Sequence, residues 1–265
     1  MTKLTSRDRN ILWSCGVSQV LTTSQIQRWH FGNTSLRNVQ KRLQKLVEAG
    51  FLNVTQTRVC TDNLVLLGKE GQEELQRTGW KVELKKEAPK DLQHHLGVVD
   101  IRIALDRSLQ ALPGMQLRYC YAYWELGQFA WSYPIIPDVI FSLRNAYTLQ
   151  AAVEFDRKTE MLNVFAKKLL QYQMLLQRHP LSTVMVVAEK DEDLERLEQG
   201  LEGVRSTVPI LTTSLPDLKE KGLAAIVRAP SHMYGTRTIA EQLEIDAARQ
   251  TGETAVKGEL KKRWG

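Results

Sequence analysis

Apolar positions recur with a helical period three times within the first fifty residues. From about Thr5 to Val17, Ile11 and Leu12 form the apolar side, and Arg7 and Arg9 fall on the outer side. The next segment, LTTSQIQRWHF, predicts a helix with Thr23 or Ser24 as N-cap, because a short hydroxyl side chain accepts from an amide of the first turn. The third, SLRNVQKRLQKLVEAG, places Leu36, Val39, Leu43, Leu46 and Val47 at helical spacing, and Gly50 past its end suits a C-cap. The pattern then becomes strand-like. FLNVTQTRV and LVLL flank a polar turn around Thr61-Asp62-Asn63, and GKEGQEELQRTG continues as a further helix.

A charged, proline-bearing stretch, KVELKKEAPKD at 81–91, reads as a linker. Beyond it a long helix spans about Asp91 to Leu112 and stops at Pro113-Gly114. It is apolar on two sides, with Val98, Ile101, Leu105, Leu109 and Leu112 on one and Leu92, Leu96, Val99 and Ile103 on the other, so it is expected to be sandwiched. His94 falls on the first side and is expected to be a hydrogen-bonded core histidine. His95 and Asp100 flank the stripes, and Asp100 is a candidate extra acid. Strands follow at about 116–126, 135–143 and 148–156, then a helix at about 160–178, the strand STVMVVAE, a helix at about 191–203 and the strand VPILTTS.

Composition alters this picture mainly through where the charge lies. The chain has 265 residues and a net charge of +6. The first sixty residues hold nine Lys or Arg against two acids, a surplus of seven, so the rest of the chain is close to neutral. A basic excess confined to one end points to a surface for a polyanion. Cys15, Cys60 and Cys120 are scattered and form no CxxC pair, which suits a reducing compartment and argues against a disulfide framework or a zinc site. No apolar run approaches a membrane span and MTKLTSRDRN has no apolar core, so a cytoplasmic protein without membrane contact is expected.

The basic excess coincides with the third helix, where Arg37, Asn38, Gln40, Lys41, Gln44 and Lys45 lie between the apolar positions. All can reach phosphates or base edges. The run LVEAGFLNV…LVLLGKEGQEEL resembles that of many bacterial winged-helix DNA-binding domains. In those domains the third helix enters the major groove and the wing touches backbone. The resemblance implies that double-stranded DNA is bound through those six residues together with Arg28 and, in the wing, Arg58. A winged helix used only for protein contacts is the plainer alternative.

The segment PDVIFSLRNAYTLQAAVEFDRKTE, at 137–160, carries the second candidate chemistry. Strand alternation places Glu154 and Asp156 on one face, with Val153 and Phe155 on the other. If the preceding strand lies alongside, Asp138 approaches Glu154. Two close carboxylates repel unless a cation or proton lies between them, and hard oxygen donors suit Mg²⁺ or Mn²⁺. Asp138 and Glu154 are thus the candidate metal ligands, and Asp138, Glu154, Asp156 and Lys168 the candidate catalytic set. The motif of acid-x-lysine nucleases has its lysine where this chain has Asp156. Lys158 lies two residues on. Lys168, at the edge of the apolar stripe Phe165, Leu169, Tyr172 and Leu176, is the better substitute.

The element order of helix, three strands, helix and strand resembles the PD-(D/E)xK nuclease fold. The run HHLGVVDIRIAL…IPDVIFSL…AAVEFDRKTE…KKLLQYQ resembles the replication-relaxation family of plasmid and mobile-element proteins. The matching positions are Asp138, Glu154, Asp156, Arg157, Thr159, Glu160, Lys168 and Tyr172, and local pairing of Arg157 with Glu160 is the structural reading of those two. The resemblance covers about residues 5 to 215, and with the reading of the residues it implies an α/β (α+β) chain: a winged helix-turn-helix at 1–80 and a PD-(D/E)xK nuclease-like αβββαβ domain at 92–229, with the linker at 81–91 and a helical, basic tail at 230–265 read from the residues themselves. It also implies a DNA-binding protein linked to plasmid replication or conjugal DNA processing; as an adaptor, it would have a replication, relaxase or transposition protein as its partner. The tail segment TRTIAEQLEIDAARQ suits docking or dimerisation, and a homodimer is expected. Three readings of the acids stay open: a metal-dependent nuclease, a metal site without cleavage, or strand-end acids paired with Arg144, Arg157 or Lys158. The last would make the protein a regulator or adaptor rather than an enzyme.

Overall fold

The computed structural model describes residues 3–85, 87–111, 114–126, 135–144, 148–158, 183–201 and 210–227, together with 164, 167, 168, 171, 172, 237–239 and 241. Most of the expected tail helix and of the expected 160–178 helix lies outside these residues; at the start of the former, Arg237–Thr238 form a strand instead. The chain is a mixture of helices and sheets that divides into two compact units, Met1–Ile103 and Ala104–Gly265. No helix among the described residues is long and apolar enough to cross a membrane.

In the first unit, helix α1 (Ser6–Ser18) is followed by strand β1 (Val20–Thr22), helix α2 (Thr23–Ile26), a π-helical turn (Gln27–Phe31) and helix α3 (Leu36–Glu48). Strands β2 (Leu52–Thr55) and β3 (Leu64–Leu67) and helix α4 (Lys69–Arg77) complete the order. The three strands form one antiparallel sheet in the order β1-β3-β2, with Val20 opposite Leu66 and Leu52 opposite Leu67. The short strand β1 has no counterpart in the sequence reading, because three apolar residues are too few to show a period. The cap of α2 also differs. It is Thr22, whose hydroxyl accepts from the Gln25 amide while the Gln25 side chain accepts from the Thr22 amide. That reciprocal box needs a Gln or Glu three residues after the cap: Gln25 supplies it for Thr22, Ile26 cannot for Thr23, and Gln27, three residues after Ser24, is turned to the Thr34 carbonyl instead.

Val39, Leu43 and Leu46 of α3 are buried with Ile11, Leu12, Ile26 and Leu52. Gly50 ends the helix at φ +76°, where a side chain would be strained, and the Phe51 amide donates back to Leu46 O at 2.9 Å.

Helix α5 (Leu92–Ala111) begins in the first unit, and the division between units falls within it. Its core histidine is His95, fully buried with Nε2 2.8 Å from Ser18 O, whereas His94 is half-buried. Both residues lie in the first turn, where the two apolar stripes nearly meet, so spacing alone could not separate them.

The second unit holds strand β4 (Gln116–Ala122), the helical turn α6 (Tyr123–Leu126), and strands β5 (Val139–Arg144), β6 (Thr148–Asp156) and β7 (Thr183–Ala188). Helix α7 (Leu194–Leu201), strand β8 (Ile210–Ser214), helix α8 (Leu215–Lys221) and the short pair β9 (Ile226–Val227) and β10 (Arg237–Thr238) follow. The main sheet runs β4-β5-β6-β7-β8, antiparallel up to β6 and parallel beyond. Residues 151–156, 183–188 and 210–214 are buried without interruption, as expected of strands covered on both faces. One face packs Ala152, Val184, Val186 and Ala188 against Leu194, Leu197 and Leu201 of α7 and against Tyr172. That is the face to which alternation assigns Glu154 and Asp156.

Candidate functional site

Two places carry chemistry, one in each unit. In the first, burial of Val39, Leu43 and Leu46 turns the opposite side of α3 outward. Arg37, Asn38, Gln40, Lys41, Gln44 and Lys45 are all exposed. Gln44 Nε2 donates to Glu48 Oε1 at 2.9 Å, so these two neighbours orient each other on that face. Arg58 is exposed between β2 and β3.

Arg28 is placed differently. Its guanidinium pairs with Asp100, which also accepts from Gln25 Nε2 at 2.9 Å. Asp100, considered as an extra acid, is therefore already engaged within the first unit. Arg42 has an internal role as well. Its Nε donates to the buried Asp8 at 2.8 Å, and a second nitrogen bonds the other carboxylate oxygen. Burial alone would raise the Asp8 carboxyl, but the bonds from Arg42 and Thr5 hold it below its usual value. Among the basic residues of α3, Arg37, Lys41 and Lys45 thus face solvent while Arg42 fastens α3 to α1.

In the second unit the antiparallel register sets Val139 opposite Val153, which brings Asp138 beside Glu154. Asp138 Oδ2 accepts from the Phe155 amide at 2.8 Å, and its carbonyl accepts from the Tyr123 amide at 2.9 Å. Glu154 is 1% exposed. Lys168 Nζ donates to its Oε2 and the Tyr172 hydroxyl donates to its Oε1. Both residues are helical, and Tyr172 is fully buried. Burial and the neighbouring Asp138 charge push the Glu154 carboxyl up to about 7, against the lowering effect of Lys168 and Tyr172. Burial next to Glu154 also raises the Tyr172 phenol well above its usual value, so it stays a proton donor.

Asp156 takes no part in that cluster of bonds. It pairs with Arg196 of α7, and its Oδ1 accepts from the Lys158 amide at 3.2 Å. Burial raises its carboxyl despite Arg196. Lys158 adopts φ +61° and reaches Asp193 at 3.1 Å, beyond the end of β6. Arg157 lies 3.6 Å from Glu189, while Thr159 and Glu160 fall outside the described residues. The structure thus brings Asp138, Glu154 and Lys168 together and sends Asp156 and Lys158 to partners on other elements. Sequence reasoning missed Arg196. It lies 40 residues from Asp156, and no local spacing links them.

Asp138, half-buried, and Glu154, buried, are adjacent hard oxygen donors whose like charges favour a cation between them, which fits one small divalent ion. Among the described residues no three His, Cys, Asp or Glu side chains group as metal ligands, so water or substrate oxygens would complete such a shell.

An α/β chain with a basic helical face in one unit and a buried acid–lysine centre in the other is the class these features define. A family model described as replication-relaxation matches residues 14–184, and the chain belongs to that family. Membership gives it a role in plasmid or mobile-element replication or processing. No curated protein and no solved structure matches the chain.

Proposed function

We propose that the protein binds duplex DNA sequence-specifically through its first unit, acting as a winged helix-turn-helix, during replication or mobilisation of a plasmid or other mobile element. The observation that carries this reading is the sorting of α3. Its buried side is purely apolar, and its exposed side offers Arg37, Lys41 and Lys45 for phosphates and Asn38, Gln40 and Gln44 for base edges. The strands β2 and β3 supply the wing, with Arg58 between them. The test is binding of the intact protein to origin or transfer-region DNA, compared with the Arg37→Ala/Lys41→Ala/Lys45→Ala variant. Equal affinity and equal salt dependence in both would remove α3 as the recognition element.

The second unit is proposed to be nuclease-like. The specific observation favouring this is the meeting of Asp138 and Glu154 on adjacent strands with the helical Lys168. Asp138 and Glu154 would hold Mg²⁺ or Mn²⁺, an ion that activates water and neutralises developing phosphate charge when bound. Lys168 holds Glu154 and supplies a positive charge beside it, and Tyr172 fixes the other carboxylate oxygen. Nicking by wild type but not by Asp138→Ala or Glu154→Ala, with duplex binding kept, is the expected result. If no DNA substrate is cut with either metal, the centre is a scaffold, and the protein is a binding regulator or adaptor for a replication, relaxase or transposition protein.

A further inference from the structure

The segment RYCYAYWE, 118–125, crowds four aromatic rings into six residues, and the acid–lysine centre does not account for them. Period-two alternation along β4 puts Tyr119 and Tyr121 on one face, opposite Ser142 and Ile140 of β5. That is the face bearing Glu154, since Ile140 is in turn opposite Ala152. The two tyrosine rings stack, with centroids 5.3 Å apart and planes within 12°. Both are half-buried, packed on the core from one side. In the helical turn that follows, Tyr123 and Trp124 meet edge to face at 4.8 Å, and the Tyr123 amide bonds the Asp138 carbonyl. The turn after β4 is therefore fastened to the backbone of Asp138, one of the acids of that centre.

Cations flank the rings. The register slips between Leu117 and Tyr119, so Arg118 is the extra residue of a β-bulge, a device that re-aims a side chain. Burial raises the Tyr119 phenol, and Arg118 lies close enough for its charge to oppose that shift. Arg144 ends β5 on the same face as the tyrosines by alternation, opposite Gln116. Both arginines are exposed, and neither pairs with a carboxylate among the described residues. Rings set in a row with guanidiniums beside them suit a chain that alternates flat bases with phosphates. Duplex DNA hides its base faces, so the fit is to an unpaired strand.

We propose that Tyr119 and Tyr121, with Arg118 and Arg144, form a stacking platform for single-stranded DNA that leads an unpaired strand to the Asp138–Glu154–Lys168 centre. Two strand spacings and two residues separate Tyr121 from Glu154, about 12 Å between Cα atoms. The inference rests on the nuclease-like reading of the second unit for its purpose, and not on duplex binding by the first.

The experiment uses the intact protein and a fluorescein-labelled dT20 oligonucleotide, read by anisotropy over a salt series. Arg118→Gln/Arg144→Gln should lower the salt slope by about 1.4, the share of two phosphates on a single strand. Tyr121→Leu keeps apolar bulk and should weaken dT20 binding by about five- to a hundredfold, while Tyr121→Phe retains it. The Arg37→Ala/Lys41→Ala/Lys45→Ala protein should bind dT20 normally. Photocrosslinking to 5-iododeoxyuridine oligonucleotides should label the peptide containing Tyr119 and Tyr121. A dT20 affinity unchanged in both the arginine and Tyr121→Leu variants overturns the proposal, as does crosslinking confined to 37–45. Duplex binding without dT20 binding overturns the platform and leaves the reading of α3 standing, and the reverse result does the opposite. Tighter binding of rU20 than dT20 overturns the assignment to DNA. A Tyr121→Leu variant that turns a dimer into a monomer with dT20 affinity unchanged would make the strip a self-interface instead.

Discussion

Lys168 closes an ion pair with Glu154 from fourteen residues further along the chain, and the Tyr172 hydroxyl takes the second oxygen of the same carboxylate. One buried acid is thus held by a cation and a neutral donor four residues apart, both helical. Lys168→Met keeps the apolar stem and removes the charge. We expect the fold to survive and any metal-dependent cleavage to fall by about two to three orders of magnitude, the scale of losing one transition-state donor. Normal cleavage by this variant with a dead Lys158→Met would move the role to Lys158.

Glu154 also sets a pH dependence. Its carboxyl is raised from 4.5 to about 7 in the folded protein, so between those values the folded state binds the extra proton. Stability should therefore be greatest below about pH 4.5 as far as this group is concerned. It should fall as pH rises to about 7, and then level off. The span corresponds to about 3 kcal/mol. Urea denaturation midpoints across pH 5 to 8 should show this slope in wild type and a flatter one in Glu154→Gln. Identical slopes would place Glu154 in a more hydrated setting.

The pair of Asp156 and Arg196 should be structural. Removing the guanidinium leaves a carboxylate that is 6% exposed without its cation. Arg196→Met should cost about 2 kcal/mol, and Asp156→Asn in the same chain should recover most of it. A thermal-melt double-mutant cycle checks this, and additive losses would mean that the two side chains do not act together.

Basic residues on α3 should separate into two behaviours. Each alanine at Arg37, Lys41 or Lys45 should leave the melting temperature unchanged and lower the duplex salt slope by about 0.9 for each phosphate no longer neutralised. Arg42→Ala strands the buried Asp8 and should cost about 2 kcal/mol of stability. Equal effects at all four positions on either readout would contradict the geometry.

Metal binding has its own readout. Titration calorimetry with Mn²⁺ should give heat with wild type and little with Asp138→Ala/Glu154→Ala. Because a cation competes with the proton on Glu154, affinity should rise as pH passes through about 7. The same heat in both proteins would leave the acids with a structural role.

Local order in the chain determined its longer elements, though not the three-residue strand β1 or the helical turn Tyr123–Leu126. Helical spacing of Val39, Leu43 and Leu46 marks α3 and, by exclusion, its polar side, because a helix repeats a burial pattern every 3.6 residues. Alternation likewise puts Glu154 and Asp156 on one face of β6. Interactions whose partners come from separate elements were settled only by the tertiary structure. The antiparallel register brings Asp138 to Glu154, α7 delivers Arg196 to Asp156, and α5 holds Arg28 through Asp100. Two acids on the same face of one strand consequently have different partners, Glu154 with Lys168 and Tyr172 and Asp156 with Arg196. The physical reason is that a buried charge must be matched by whichever group the packing brings within a few ångströms, and sequence spacing carries no record of that distance.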